Sequence, residues 1–223
     1  VIQNEVYYVV LLKDRIDQKL DEICNRIRVC KGRVILVGMG KSGHIAKKIA
    51  STLASTGTPS FYLHPGEAGH GDLGMINSND VVIMISYSGE SDEIISLLPG
   101  IKRIHTPIIS MTGNINSTLA MASEFHLDVS VNKEACPNNL APTSSTTAAL
   151  VMRDAIAVSL MSVNSFTSED FAMSHPSGTL GRRLLTLVSS IMKEGLDIPI
   201  VSKETLLIDS LLVMTKKSLG MVI

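Results

Sequence analysis

The chain reads as an α/β protein: a doubly wound, parallel five-stranded sheet with helices on both faces, followed by a small appended unit. Three observations predict this. Short apolar, β-branched runs recur along the first half of the chain, the clearest being Val81 to Ile85. Stretches with three- and four-residue apolar spacing lie between them. Strands alternating with helices specify parallel pairing, because each crossover needs a helix to return the chain. The apolar content is 45%, with no tryptophan and 4% aromatic residues, so the core is built from aliphatic side chains, as expected of strands buried on both faces.

The elements follow in order. Val6, Val9, Val10, Ile16, Leu20, Ile23 and Ile27 fall at helical spacing and predict one amphipathic N-terminal helix. Val34 to Val37 is a buried strand, Gly38 to Gly43 a glycine-rich turn, and Ile45 to Thr56 a helix stopped at Gly57. Ser60 to Leu63 is a second strand, and His64 to Gly74 a glycine-rich loop or short helix. The strand at Val81 to Ile85 leads into a helix from Ser91 to Arg103. Pro107 to Met111 and Phe125 to Val129 are strands four and five, with a helix over Ser117 to Ala122 between them. A long helix runs from Pro142 to about Met161, and a short one starts at Thr167 or Ser168. After Val188 the character changes. A new unit follows, Ile198 to Val201, then Lys203 to Lys216 as a helix and Gly220 to Ile223 as a strand. So few residues cannot bury a core alone. The domains are therefore set at 1–188 and 189–223.

Composition narrows the function. Twenty Lys and Arg face 21 Asp and Glu, which gives no electrostatic reason to expect nucleic acid or an anionic membrane as partner. No apolar run is read as approaching the roughly 20 residues of a membrane span, and no signal peptide is visible. Cys24, Cys30 and Cys136 form no paired motif and read as reduced thiols of a cytoplasmic protein.

The most informative segment is Ser86-Tyr-Ser-Gly-Glu-Ser91, between the third strand and the following helix. Serine hydroxyls beside the unpaired amides of a helix start make an anion cradle. Helix capping is the commoner use of such serines, but Ser86, Ser88 and Ser91 exceed what capping needs. Glu93 lies one turn into the helix. A phosphate holder with a carboxylate beside it points to chemistry on a phosphorylated small molecule. Gly38-Met-Gly40-Lys41-Ser42-Gly43 matches the dinucleotide glycine pattern, yet no acidic residue stands at the ribose position, where strand two ends Tyr62-Leu63-His64. Ile35 stands where a nucleotide phosphate loop needs its first glycine. Neither NAD nor ATP is favoured. The motif is left as close backbone approach to a ligand with Lys41 and Ser42 facing it, or as a plain tight turn. A second polar helix start follows Pro142 at Thr143-Ser144-Ser145-Thr146-Thr147. Glu134, just before it, reads by itself as a solvated loop charge. His70 and His175 sit in loops without metal spacing and remain candidates for proton transfer.

Taken together, Gly38 to His44, His64 to Gly74, Ser86 to Ser91, Lys133-Glu-Ala-Cys-Pro137, Leu140 to Thr147 and Ser174-His-Pro176 resemble the D-arabinose 5-phosphate isomerases. These are sugar-isomerase (SIS) domain enzymes feeding 3-deoxy-D-manno-octulosonate (Kdo) synthesis for lipopolysaccharide. The resemblance covers residues 1 to 188, and the tail resembles an incomplete first CBS repeat. It implies interconversion of D-ribulose 5-phosphate and D-arabinose 5-phosphate through an enediol, with no cofactor and no metal. It implies Ser42, Ser86, Ser88 and Ser91 around the phosphate, with Gly40, Thr143 and Ser144 elsewhere in the substrate pocket. It implies a catalytic set of Lys41, His70, Glu93, Glu134 and His175. Glu134 would be the carbon base. His175 would serve ring opening or oxygen proton transfer, donated across an interface of a homotetramer. Lys41 would steady enediolate charge, and Glu93 would orient hydroxyls or Lys41. Two other readings stay in competition: a non-catalytic regulatory SIS protein that binds a phosphosugar, and a different reaction on the same scaffold, such as a lyase or a hexose-phosphate isomerase.

Overall fold

The computed structural model describes residues 1–16 and 18–223. They form two compact units, Val1–His175 and Pro176–Ile223. The first carries five strands, β1 (Val34–Gly38), β2 (Ser60–Leu63), β3 (Val81–Ile85), β4 (Ile108–Thr112) and β5 (Phe125–Asp128), in the order β2-β1-β3-β4-β5. Every pairing is parallel. All five fall where the sequence predicts them. Residues of β1, β3 and β4 are buried without exception, as a central strand covered on both faces requires.

The two faces divide by residue parity. Val34, Leu36, Ile83 and Ile85 join one core with α2 (Gln18–Arg28), α3 (Gly40–Ser55) and α8 (Ser144–Val163). Ile35, Val37, Val82 and Met84 join the other with α4 (Pro65–Gly69), α5 (Asp92–Ile95), α6 (Leu98–Ile104) and α7 (Thr118–Ala122). Each such side chain contributes about 1.5–3 kcal/mol by leaving water, which makes this double-sided core the main source of stability.

Several expectations are corrected. The N-terminal helix is two helices, α1 (Ile2–Leu12) and α2, parted by a 3-10 turn at Lys13–Arg15 and an extended Ile16. Arg15 holds the break: its Nη1 donates to the Ser130 carbonyl at 2.7 Å, and its Nε lies 3.5 Å from Asp128. The helix expected over Ser91 to Arg103 is divided into α5 and α6. Pro99 lacks an amide and its ring would clash with the carbonyl of Ile95, so the first helix ends there. Helix α8, with 20 residues, is long and apolar enough by length and composition to cross a bilayer, which the sequence reading passed over. Ala148, Met152, Ile156 and Leu160 on it are core residues, and the buried Arg153 in its middle bonds Thr52 at 2.7 Å. Helix α9 (Ser168–Ser174) starts at Thr167 with a reciprocal capping box to Asp170.

The second unit holds α10 (Thr179–Leu185), α11 (Val188–Ile191) and α12 (Leu207–Lys217). The division falls before α10, earlier in the chain than the change in character after Val188. The strand expected at Gly220 to Ile223 does not form. Its end still meets the segment at 199–201: the Val201 amide donates to Ile223 and the Ile223 amide to Pro199, both at 2.9 Å.

Candidate active site

A cavity of about 390 Å³ opens beyond the carboxyl ends of β1, β3, β4 and β5. Here the strand order turns, since β2 lies to one side of β1 and β3 to the other. This is where open parallel sheets bind ligands. Lys41 and Ser42 reach it from the start of α3, and Ser86, Tyr87, Ser88 and Ser91 from the turn after β3. Pro142, Ser145 and Thr146 reach it from the start of α8.

The glycine motif is explained by packing. A Cβ on Gly43 would stand 2.7 Å from the Gly38 carbonyl oxygen and 2.9 Å from the Tyr62 hydroxyl. The tight strand-to-helix approach brings Lys41 and Ser42 to the wall. Gly40 takes a positive φ of 54° at the first turn of α3 and is not on the cavity wall. Lys41 is in no ion pair among the described residues.

The serine turn is built by its own hydroxyls. Ser86 Oγ accepts from the Gly89 amide at 3.2 Å and lies 3.0 Å from Ser91 Oγ. Ser88 Oγ accepts from the Glu90 amide at 3.2 Å. Ser91 stands at the N-cap of α5 without its side chain capping that helix, so the commoner capping role is not the one adopted. Glu93 is exposed in the first turn of α5 and is not on the cavity wall.

Glu134 is not a solvated loop charge. Its Oε2 accepts from the Thr143 amide at 2.7 Å, the Thr143 hydroxyl at 2.9 Å and the Ser145 amide at 3.3 Å. The carboxylate thus caps α8, where negative charge is favoured by the helix dipole. Burial pushes its pKa up, but hydrogen bonding from Ser145 and Thr143 outweighs this and holds it below the ordinary carboxylate value. It is ionised at neutral pH. Oε1 carries no hydrogen bond among the described residues, leaving one oxygen available for a proton. Glu134 stands behind the wall, bonded to Ser145, which is on it.

The remaining expected residues lie apart from this cavity. Thr143 spends its hydroxyl on Glu134 and on the Ala135 amide. Ser144 faces α1 instead, accepting from Asn4 at 3.1 Å and donating to Glu5 at 3.4 Å. His70 is exposed at the end of α4. His175 ends α9, its ring stacked on Phe171 at 4.0 Å and its Nδ1 2.9 Å from the Phe171 carbonyl oxygen. Three polar cavity residues, Tyr87, Ser145 and Thr146, stand outside the expected set. Ser145 and Thr146 lie in a run of hydroxyl residues in which helical phase alone decides direction. That phase, counted from Pro142, separates Ser145 from Ser144.

An open parallel sheet with a serine-rich turn and a cavity at its switch point defines a doubly wound α/β class that holds its ligand at this edge. Residues 27–159 match the SIS domain, and the chain belongs to that family. Within it the chain is 57% identical over 212 residues to "Arabinose 5-phosphate isomerase KdsD" of Escherichia coli (strain K12), covering 95% of this chain and 65% of that protein. It is 56% identical over 223 residues to the Salmonella typhi protein of the same name, covering 100% and 68%. The chain thus spans about two thirds of the length of these relatives. Among solved structures, the E. coli CFT073 protein c3406 in complex with arabinose 5-phosphate superposes with a TM-score of 0.76 at 42% identity, covering 78% of this chain and 93% of that one.

Proposed function

We propose that this protein is an aldose–ketose isomerase that interconverts D-ribulose 5-phosphate and D-arabinose 5-phosphate through an enediol, at the entry to Kdo synthesis. The observation that carries this reading is the two-sided cavity: serine hydroxyls and Lys41 on one side, an ionised carboxylate fixed behind the other. High identity to proteins named for this activity supports it.

In this reading the phosphate lies in the cradle of Ser42, Ser86, Ser88 and Ser91, with Lys41 supplying positive charge. Glu134 takes a proton from one of carbons 1 and 2 and delivers a proton to the other through Oε1, while Oε2 stays tied to α8. Lys41 steadies the negative charge that develops on the enediolate oxygens. His175 and His70 serve proton transfer at oxygen, and Glu93 orients hydroxyls or Lys41. One proton leaves one carbon and one is delivered to the other, the proton held by Glu134 exchanging with solvent in between, and the base is regenerated, so the chemistry needs neither a cofactor nor a metal.

His175 would reach the site from a neighbouring subunit of a homotetramer. The exposed apolar residues Ile2, Val6, Tyr7 and Val10 of α1 are consistent with subunit contacts. Residues 1–188 would form the isomerase domain and 189–223 part of a first CBS repeat. Three unpaired cysteines fit a cytoplasmic setting.

The deciding experiment incubates metal-stripped protein with ribulose 5-phosphate in heavy water and follows the sugar by proton NMR. Arabinose 5-phosphate carrying deuterium at carbon 2 is the expected product. Binding of arabinose 5-phosphate with neither conversion nor deuterium exchange would replace the isomerase by a phosphosugar sensor.

A further inference from the structure

The start of α8 presents a row of hydroxyls, and all but one of those placed near the cavity are spoken for. Thr143 bonds Glu134, Ser144 bonds Asn4 and Glu5, and Thr146 donates to the Thr143 carbonyl at 2.7 Å. Ser145 is the exception. It lines the cavity, is 3% exposed, and its Oγ is buried without a partner at hydrogen-bond distance. The hydroxyl also acts on the Glu134 carboxylate as a long hydrogen-bond donor and helps hold its pKa down, but the only contact from Ser145 to Glu134 within 3.5 Å among the described residues runs from the amide. A buried hydroxyl left unpaired in a well-packed wall is costly, and a ligand in the cavity is the partner the geometry leaves to it.

We propose that Ser145 is a substrate-contact residue that bonds an uncharged oxygen of the sugar chain, not the phosphate. This rests on the reading of the cavity as a sugar-phosphate site. Charge decides which end of the ligand Ser145 meets. Its amide is bonded to the Glu134 carboxylate, so a phosphate dianion placed here would be repelled. A hydroxyl or carbonyl oxygen would not be. The phosphate belongs with Lys41 and the serine turn, where positive charge and free donors lie. Ser145 thereby places the carbons of the sugar beside Glu134 and helps set which sugars fit.

The test compares the wild-type chain with Ser145→Ala, binding arabinose 5-phosphate and inorganic phosphate separately by calorimetry. Arabinose 5-phosphate should bind about tenfold more weakly to the variant, the scale of one neutral hydrogen bond, while inorganic phosphate binds as before. Equal weakening of both ligands would put Ser145 in the phosphate cradle and overturn the proposal. So would unchanged binding of arabinose 5-phosphate, or a wild-type chain that does not bind it. Ser145→Cys, which keeps the volume but donates weakly, reads the same difference should Ser145→Ala fail to fold. Wild-type turnover of ribulose 5-phosphate is measured alongside. Its absence counts against the isomerase reading, while the difference between the two ligands still decides the role of Ser145.

Discussion

The Tyr87 hydroxyl donates to the carbonyl of Val131 at 2.9 Å and accepts from the amide of the same residue at 3.0 Å. One side chain of the serine turn thus satisfies both backbone groups of a residue in the segment that leads to Glu134. Gly113 makes room for it, since a Cβ there would stand 2.7 Å from the ring. The serine turn and the segment that leads to Glu134 are tied together by a single phenol.

Tyr87→Phe keeps the ring and removes both bonds. It should lower stability by about 1 kcal/mol and loosen the approach to Glu134. Steady-state kinetics should show kcat falling several-fold with KM for ribulose 5-phosphate little changed. A change confined to KM would mean that Tyr87 serves binding and does not position the carboxylate.

Glu134 has two separable jobs. Glu134→Gln retains an oxygen to accept from Thr143 and Ser145, so thermal unfolding should shift little while turnover is abolished. Glu134→Ala loses the cap of α8 as well and should cost about a further 1 kcal/mol. Near-normal activity in Glu134→Gln would remove it as the base.

The pH dependence of stability follows from the same carboxylate. Its pKa in the folded chain lies below the ordinary value of 4.5 because of the α8 hydrogen bonds. As pH falls, the unfolded chain takes up this proton first. The stabilisation is therefore whole above pH 4.5 and fades as pH drops through the folded value. Melting curves of wild type and Glu134→Ala should converge in that acid range and stay apart at neutral pH.

Gly43→Ala introduces a Cβ 2.7 Å from the Gly38 carbonyl oxygen. Pushing α3 off β1 should cost about 1–3 kcal/mol, as overpacking does. It should also weaken inorganic phosphate binding, because Lys41 and Ser42 ride on that turn. Calorimetry and a melting curve read the two effects together.

The cysteines should label unequally. Burial, with Asp21 adding to it, pushes the Cys24 thiol up to about 11. Backbone amides of Ala141, Leu140 and Asn138 hold the Cys136 thiol below its ordinary value. Thiolate is the reactive form. Brief treatment with iodoacetamide near neutral pH, read by peptide mass spectrometry, should modify Cys136 well before Cys24.

The central strands β1 and β3 were legible because a strand buried on both faces writes itself as a short unbroken apolar run, whereas the edge strands β2 (Ser-Phe-Tyr-Leu) and β5 (Phe-His-Leu-Asp) are half-buried and mix polar with apolar residues. Helices were legible wherever one face alone was apolar. Their interruptions were less so. The break at Ile16 is held by the contacts of Arg15 with Ser130 and Asp128, far along the chain. By contrast, Pro99 announces the gap between α5 and α6 in the sequence itself. The strand expected at Gly220 to Ile223 does not form, because two paired backbone amides do not sustain a ladder.

For the site, the sequence by itself determined that Lys41, Ser42, Ser86, Ser88 and Ser91 stand on two polar turns that each follow a strand. Their residue types and their places after β1 and β3 suffice for that. Only the tertiary structure decided that these turns meet over one cavity, because parallel pairing of β1 with β3 sets their ends side by side. It alone turned Ser144 toward α1 and left Ser145 on the cavity wall, one residue of helical rotation apart. It alone converted Glu134 from a loop charge into the cap of α8, through bonds to residues nine and eleven positions away. Local pattern encodes which groups exist and on which element. Their direction and partners depend on contacts between distant segments, which a linear pattern does not specify.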